Sequence, residues 1–237
     1  MAANNALSDT PTKARAWLQR TYIWVRFKLG HTKEREELGY WKRAYKREDT
    51  ELENYWYEQF YTAQLGLTHD SYKGKRVLDI GCGPRGSLEW ATEAAERVGL
   101  DPLVEDYREL GIDQHEMDYV ASGAESMPFE DGHFDIVALF NSLDHVDDAP
   151  KAIAEVTRVT RPGGTALVIV EVNHDPTPAE PHRFEWDLFD SFEGWSVVEQ
   201  QRCAIRKDHN VYLSVEEGKP WRKGAGILVG RLERNKI

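Results

Sequence analysis

Two cysteines, Cys82 and Cys203, are all that 237 residues contain. So small a number excludes a disulfide framework, leaves no C-x-x-C metal pair and fits a reducing compartment. Long apolar runs are missing too. No stretch of about 18 apolar residues occurs, and residues 1–12 lack the apolar core of a signal peptide. The expectation is a soluble or peripheral cytoplasmic protein. Basic charge is also in deficit: 30 Lys and Arg against 41 Asp and Glu give a net charge of -11 and a pI near 5.3. A nucleic-acid partner would call for a concentrated basic surface, so none is expected. The deficit is uneven. Residues 1–62 hold 11 Lys and Arg against 9 Asp and Glu, and the remainder 19 against 32, so +2 is followed by -13.

Four of the eight tryptophans fall before residue 62, marking the N-terminal part as a compositional unit. Within residues 13–30, Leu18, Tyr22, Val25 and Leu29 recur at helical spacing, flanked by Trp17 and Trp24, among five basic side chains. Core packing or dimerisation explains such a helix, and so does an anionic membrane surface. A second helical stretch is expected from about 32 to 65, broken near Asp49 and Thr50 and dense in aromatics. Beyond it the pattern turns to short apolar strands, at 76–80, 97–100, 117–121, 134–140, 165–172, 196–205 and 226–233. Helices are expected near 87–95, 104–110, 149–159 and 186–192. This alternation specifies a parallel sheet covered on both faces, and the last two strands, with no strong helix between them, read as an antiparallel edge pair. The length suits one α/β domain, here 66–237, with a helical extension over 1–65.

The segment from Val77 to Gly86 carries the chemistry. An apolar strand ends in Asp79-Ile80, and glycines at 81, 83 and 86 then spell G-x-G-x-x-G. Such a turn lets backbone approach a nucleoside cofactor, but three glycines also serve tight strand-to-helix packing. Asp79 adds information, because an acid beside the turn would repel a pyrophosphate and would suit an ammonium group. Asp101 ends the second strand, where an acid can accept hydrogen bonds from a ribose diol. Ser122-Gly123-Ala124-Glu125, Asp131-Gly132-His133-Phe134-Asp135, Asn141 and Arg161-Pro162-Gly163-Gly164 follow in order.

Through these motifs, residues 75–172 resemble a class I S-adenosylmethionine-dependent methyltransferase of the small-molecule group often called type 11. The resemblance implies a Rossmann-like, doubly wound, seven-stranded and mostly parallel sheet with an N-terminal helical cap, and S-adenosyl-L-methionine as cofactor. It implies that Gly81, Cys82 and Gly83 underlie the methionine part, with Asp79 near its ammonium. Asp101 and Pro102 would meet the ribose, Ala124 and Glu125 the adenine, and Asn141 the transferable methyl. Gly123 stands where the family often has Asp, so backbone groups or Ser122 take over that contact.

The acceptor is less legible. A small molecule methylated on oxygen or nitrogen, a sugar or secondary metabolite, is expected, with the protein a monomer or homodimer. If the acceptor is a hydroxyl, His145, His174 and His182 are the candidate general bases, each with a plain structural alternative in capping or loop stabilisation. Asp144, Asp175 and Glu180 could join them around a divalent cation, but their spacing is not that of a ligand set, and no metal is assigned. Tyr40, Trp41, Tyr45 and Trp186 are candidate acceptor contacts that equally suit core packing. A catalytically idle cofactor-binding module and a membrane-peripheral enzyme acting on a lipid-linked substrate are the alternatives; an NAD-dependent oxidoreductase fits Asp79 poorly.

Overall fold

The computed structural model describes residues 32–177 and 179–236; the helix expected over 13–30 lies outside them. Strands β1 (Arg76–Ile80), β2 (Glu96–Leu100), β3 (Asp118–Val120), β4 (Phe134–Phe140), β5 (Thr160–Val172), β6 (Trp195–Ala204) and β7 (Gly226–Arg234) form one sheet. Their order is β3-β2-β1-β4-β5-β7-β6. The first five are parallel, and β7 runs antiparallel to both β5 and β6. Continuous apolar runs such as Val77-Leu78 and Ile136–Phe140 suit strands buried on both faces. The order reverses between β1 and β4, and the crevice beyond their carboxyl ends is where a doubly wound sheet binds its ligand.

The helices are α1 (Lys33–Arg47), α2 (Glu58–Tyr61), α3 (Val104–Tyr107), α4 (Ala149–Val159) and α5 (Val211–Glu217). Helix α1 begins where the Thr32 hydroxyl accepts from the Arg35 amide and ends where Asp49 and Thr50 adopt φ of 54° and 69°, the break expected there. One sheet face packs on α4 through Ala152, Ile153, Val156 and Val159. The other is covered by Tyr57, Phe60, Tyr61, Leu65 and Tyr72, joined by Val211 and Val215 of α5. Residues on both sides of position 65 therefore share this core.

Three expectations are corrected. No helix forms over 87–95; only turns lie between Gly86 and β2. That connection is short, and Leu88 and Trp90 turn inward onto the aromatic segment, Trp90 lying 5.8 Å from the Tyr61 ring and 4.8 Å from that of Tyr72. The N-terminal aromatics thus fill the layer a crossover helix would occupy. Over 186–192 only the short 3-10 turn Leu188–Ser191 forms. Conversely α5 was not expected between the last two strands, although Asn210 caps its start through the Leu213 amide and Gly218 ends it in the left-handed region. Among the described residues no helix is long and apolar enough to cross a membrane.

Candidate active site

At the switch point, the turn after β1 is built so that backbone rather than side chain faces the crevice. Gly81 has φ of 71°, and a Cβ there would lie 2.4 Å from the Ser142 Cβ. Its amide donates to Leu100 O at 2.7 Å, tying the turn to the end of β2. A cavity of about 150 Å³ opens here, lined by Gly81, Asp101, Pro102, Ala124, Glu125, Asn141 and Ser142, with His145 at one end. Six of the residues expected at a cofactor are thus brought together from the ends of four strands or the loops after them.

Asp79, Cys82 and Gly83 do not line this cavity. The Asp79 carboxylate points beneath the turn, where it accepts from Tyr61 Oη at 2.8 Å and from the Ser87 hydroxyl. Burial pushes it up to about 6, against the pull of those two hydrogen bonds. The Cys82 thiol packs against Gly99, which Met117 also approaches, and burial pushes the thiol far above its ordinary range. Trp41 of α1 lies over Gly83, within 2.9 Å of where a Cβ would stand. Packing against the sheet thus holds the Cys82 side chain away from the crevice.

Asp101 is buried and accepts from Gly83 N at 3.2 Å and Leu103 N at 2.9 Å. Burial, then the facing Glu37 carboxylate, pushes it up to about 7. Glu37 comes from α1, which also brings Lys33 and Glu34 to the cavity wall. These three were not among the expected site residues. The available signal was the spacing of Glu34, Glu37, Trp41 and Ala44, one face of a helix whose lower half is apolar. Lys33 is engaged with His145 O and the Asp147 carboxylate, both at 2.7 Å, so the lining is predominantly acidic.

The acids at the turn set a pH dependence. Asp79 and Asp101 hold protons in the folded chain up to about 6 and 7, against ordinary values of 3.8. Between those limits the folded state binds more protons than the unfolded one, so stability is fullest below pH 4 for these groups and falls as pH rises through 7. In thermal melts the ligand-free protein is expected to lose Tm from pH 5 to 8, and a cationic ligand to lessen that loss. A Tm that is flat or rises over this range would refute the assignment.

Of the other expected residues, Tyr40 is 51% exposed and lies edge-on to Trp41. Tyr45 packs with Leu103 and Tyr107 beneath α1. Trp186 meets Trp221 at a tilt of 58°, lies under Arg202 and lines a different groove near β6. None of these three positions lines the cavity. His182 stacks on Phe184 and donates from Nε2 to Val146 O at 2.9 Å. His174 and the buried Asp144 lie beside His145, with Glu171 and Glu180 close by. Burial, with Glu180 and Asp144 facing it, pushes Glu171 up to about 7. Asp175 lies outside this group, exposed and paired with Arg183.

The family model described as "Methyltransferase domain" matches residues 78–168, the stretch from β1 into β5 that frames the cavity. The chain belongs to the class I S-adenosylmethionine-dependent methyltransferases. It is 37% identical over 107 residues to the demethylmenaquinone methyltransferase of Renibacterium salmoninarum, covering 43% of each chain. It is 34% identical over 172 residues to the ubiquinone/menaquinone biosynthesis C-methyltransferase of Psychromonas ingrahamii, covering 66% of this chain and 63% of that one. The chain thus spans less than two thirds of the length of these curated relatives. Among solved structures, an S-adenosylmethionine-dependent methyltransferase from Mesorhizobium loti superposes with a TM-score of 0.52 at 18% identity, over 73% of this chain and 94% of that one. S-adenosylmethionine is the family's cofactor, and the methyltransferase cavity fits it: a sulfonium and an ammonium suit a wall carrying Glu34, Glu37 and Asp101.

Proposed function

We propose that this methyltransferase moves a methyl group from S-adenosylmethionine to an oxygen or nitrogen of a small molecule, a sugar or secondary metabolite. The observation that carries the reading is the acidic cavity at the switch point, framed by Gly81, Asp101 and Asn141 and closed from above by α1. The cofactor supplies an electrophilic methyl carbon on a positively charged sulfur. Asp101 accepts the ribose hydroxyls, Ala124 and Glu125 border the adenine, and the Gly81 backbone underlies the methionine chain. Glu34 and Glu37 stabilise the cation from the cap side, and Asn141, with φ of 51° and its backbone N–H donating to Ile169 O, stands at the methyl end. Displacement from a neutral nucleophile disperses charge that already exists, so fixing the two reactants in line does much of the work, with effective molarities of about 10⁵ M or more within reach. His145, the one candidate histidine lining the cavity, is placed to take an acceptor proton.

Calorimetry with S-adenosylmethionine, followed by a screen for S-adenosylhomocysteine release across candidate acceptors, tests the proposal. Asp101→Ala is expected to weaken cofactor binding by about 1–3 kcal/mol through lost ribose hydrogen bonds. Unchanged affinity would refute the ribose assignment, and tight binding without turnover across a broad screen would favour an idle binding module. The Psychromonas relative is a C-methyltransferase by name. Carbon methylation is therefore the second reading, and mass and NMR analysis of the product separates it from the first.

A further inference from the structure

Beside the methyl end of the cavity lies a group of side chains that cofactor binding does not use. Asp144 and His145 sit on the 3-10 turn Leu143–His145 after β4, and Glu180 reaches them from the loop after β5. One ligand-type atom from each of the three lies within 4.8 Å of the others. Ligands about 2.1 Å from a common ion stand roughly 3–4 Å apart, so small side-chain rotations bring this trio into coordination range. Glu171, near the end of β5, and His174 border the same space.

The burial of this group is what needs explanation. Asp144 is 0% exposed, and neither of its carboxylate oxygens has a hydrogen-bond partner among the described residues. The Nε2 atoms of His145 and His174 are buried and unpartnered in the same sense. A carboxylate withdrawn from water without a partner is costly, and folds that keep one supply a donor or a cation. Here the neighbours are carboxylates and imidazoles. Three acids and two imidazoles converging with unused lone pairs make a donor set for a positive ion.

We propose that Asp144, His145 and Glu180 bind one divalent first-row cation of the Mn²⁺ or Zn²⁺ kind, with Glu171 and His174 available to complete or orient the shell. The imidazole favours such ions over Mg²⁺ or Ca²⁺, for which an all-oxygen set is usual. His145 belongs both to this group and to the cofactor cavity, so the ion stands at the methyl end. Its use in catalysis rests on the methyltransferase reading; its binding does not. With His145 committed to the ion instead of to proton transfer, an acceptor hydroxyl coordinated there becomes more acidic and gives its proton to solvent. The oxygen lone pair then forms the new bond to the methyl carbon as the carbon–sulfur bond breaks, its electrons passing to sulfur. The acceptor class this selects is a hydroxylated molecule with a second oxygen able to chelate.

The test is calorimetric titration of chelator-treated, full-length protein with Mn²⁺ and, separately, Zn²⁺, without cofactor or acceptor. One ion per chain is expected, with a rise in Tm. Glu180→Gln and His145→Ala are each expected to weaken binding by about tenfold or more. Asp144→Asn should do the same, and the other two variants decide the matter where this one fails to fold. No saturable 1:1 binding of either ion, or binding that Glu180→Gln and His145→Ala both leave unchanged, would overturn the site. S-adenosylmethionine binding measured on the same metal-free sample reports on the methyltransferase reading separately, so the failure of one is not mistaken for failure of the other.

Discussion

Gly81→Ala will leave a folded protein that no longer binds S-adenosylmethionine well. Two effects combine at this position. At φ of 71° an L residue is disfavoured by roughly 1–2 kcal/mol, and the new methyl would stand 2.4 Å from the Ser142 Cβ. Forcing an extra methyl into packed surroundings adds typically about 1–3 kcal/mol. Relief can come only by moving the turn or Ser142, and both line the cavity. At about 1.4 kcal/mol per tenfold, passing about half of that combined 2–5 kcal/mol into the cavity wall costs roughly one to two orders of magnitude in cofactor affinity. Gly74→Ala is the control. Its φ of 65° imposes a similar backbone strain, but no atom lies within 4 Å of the added Cβ, so it should lose some stability and no affinity. Adding Ser142→Gly to Gly81→Ala removes the clash and should restore part of the binding. Equal affinities for Gly81→Ala and the wild type, by calorimetry, would remove the turn from the cofactor site.

The second large effect falls on Arg85, a residue of the same turn that makes no contact with the cavity. It is 6% exposed and forks onto Glu48, Nη1 to Oε2 and Nη2 to Oε1, both at 2.7 Å, while Nη1 also donates to Glu53 O at 2.7 Å. Its guanidinium lies 5.5 Å from the Trp41 ring and 6.0 Å from that of Trp56. One side chain therefore joins the cofactor turn to the end of α1 and to the aromatic segment beyond it. Removing one partner of a buried pair costs about 3–5 kcal/mol, and the partial exposure of Glu48 places Arg85→Ala near the lower end. For a chain of this size about 3 kcal/mol corresponds to roughly 6–12 °C in Tm. Arg85→Lys keeps the charge but cannot fork or stack in the same way, and should recover little. A change in Tm under about 2 °C for Arg85→Ala would show that the cap is held by its apolar contacts alone.

The glycine turn and Asp101 were legible from local rules, whereas the Ala124-Glu125 segment and Asn141 were reached through the family resemblance. A strand must end, a turn must take positive φ, and an acid at a strand tip beside that turn faces the same crevice in any sheet of this order. The strands were legible because parallel strands buried on both faces are nearly continuous in apolar residues, as in Ile136–Phe140. The helix expected over 87–95 was misread for a reason no local pattern carries. Its place is filled by Tyr57, Phe60, Tyr61 and Tyr72, residues up to about thirty positions earlier in the chain. The apolar side chains Leu88 and Trp90 that suggested a helix face are instead points of contact with that segment.

By itself, then, the amino-acid sequence determined the order of the sheet's elements, the family and the donor. The strands are written in short apolar runs bounded by turn residues, and the family and the donor in motifs whose order and spacing carry the resemblance. Only the tertiary structure decided which acids meet. Glu37 comes to face Asp101 across 64 positions of chain, and Asp144, His145 and Glu180 arrive from two separate loops. Charges such as these interact through space, and their separation along the chain holds no record of it. The folded packing of α1 on the turn and of the loop after β5 on the loop after β4 supplies that record, and with it both walls of the site.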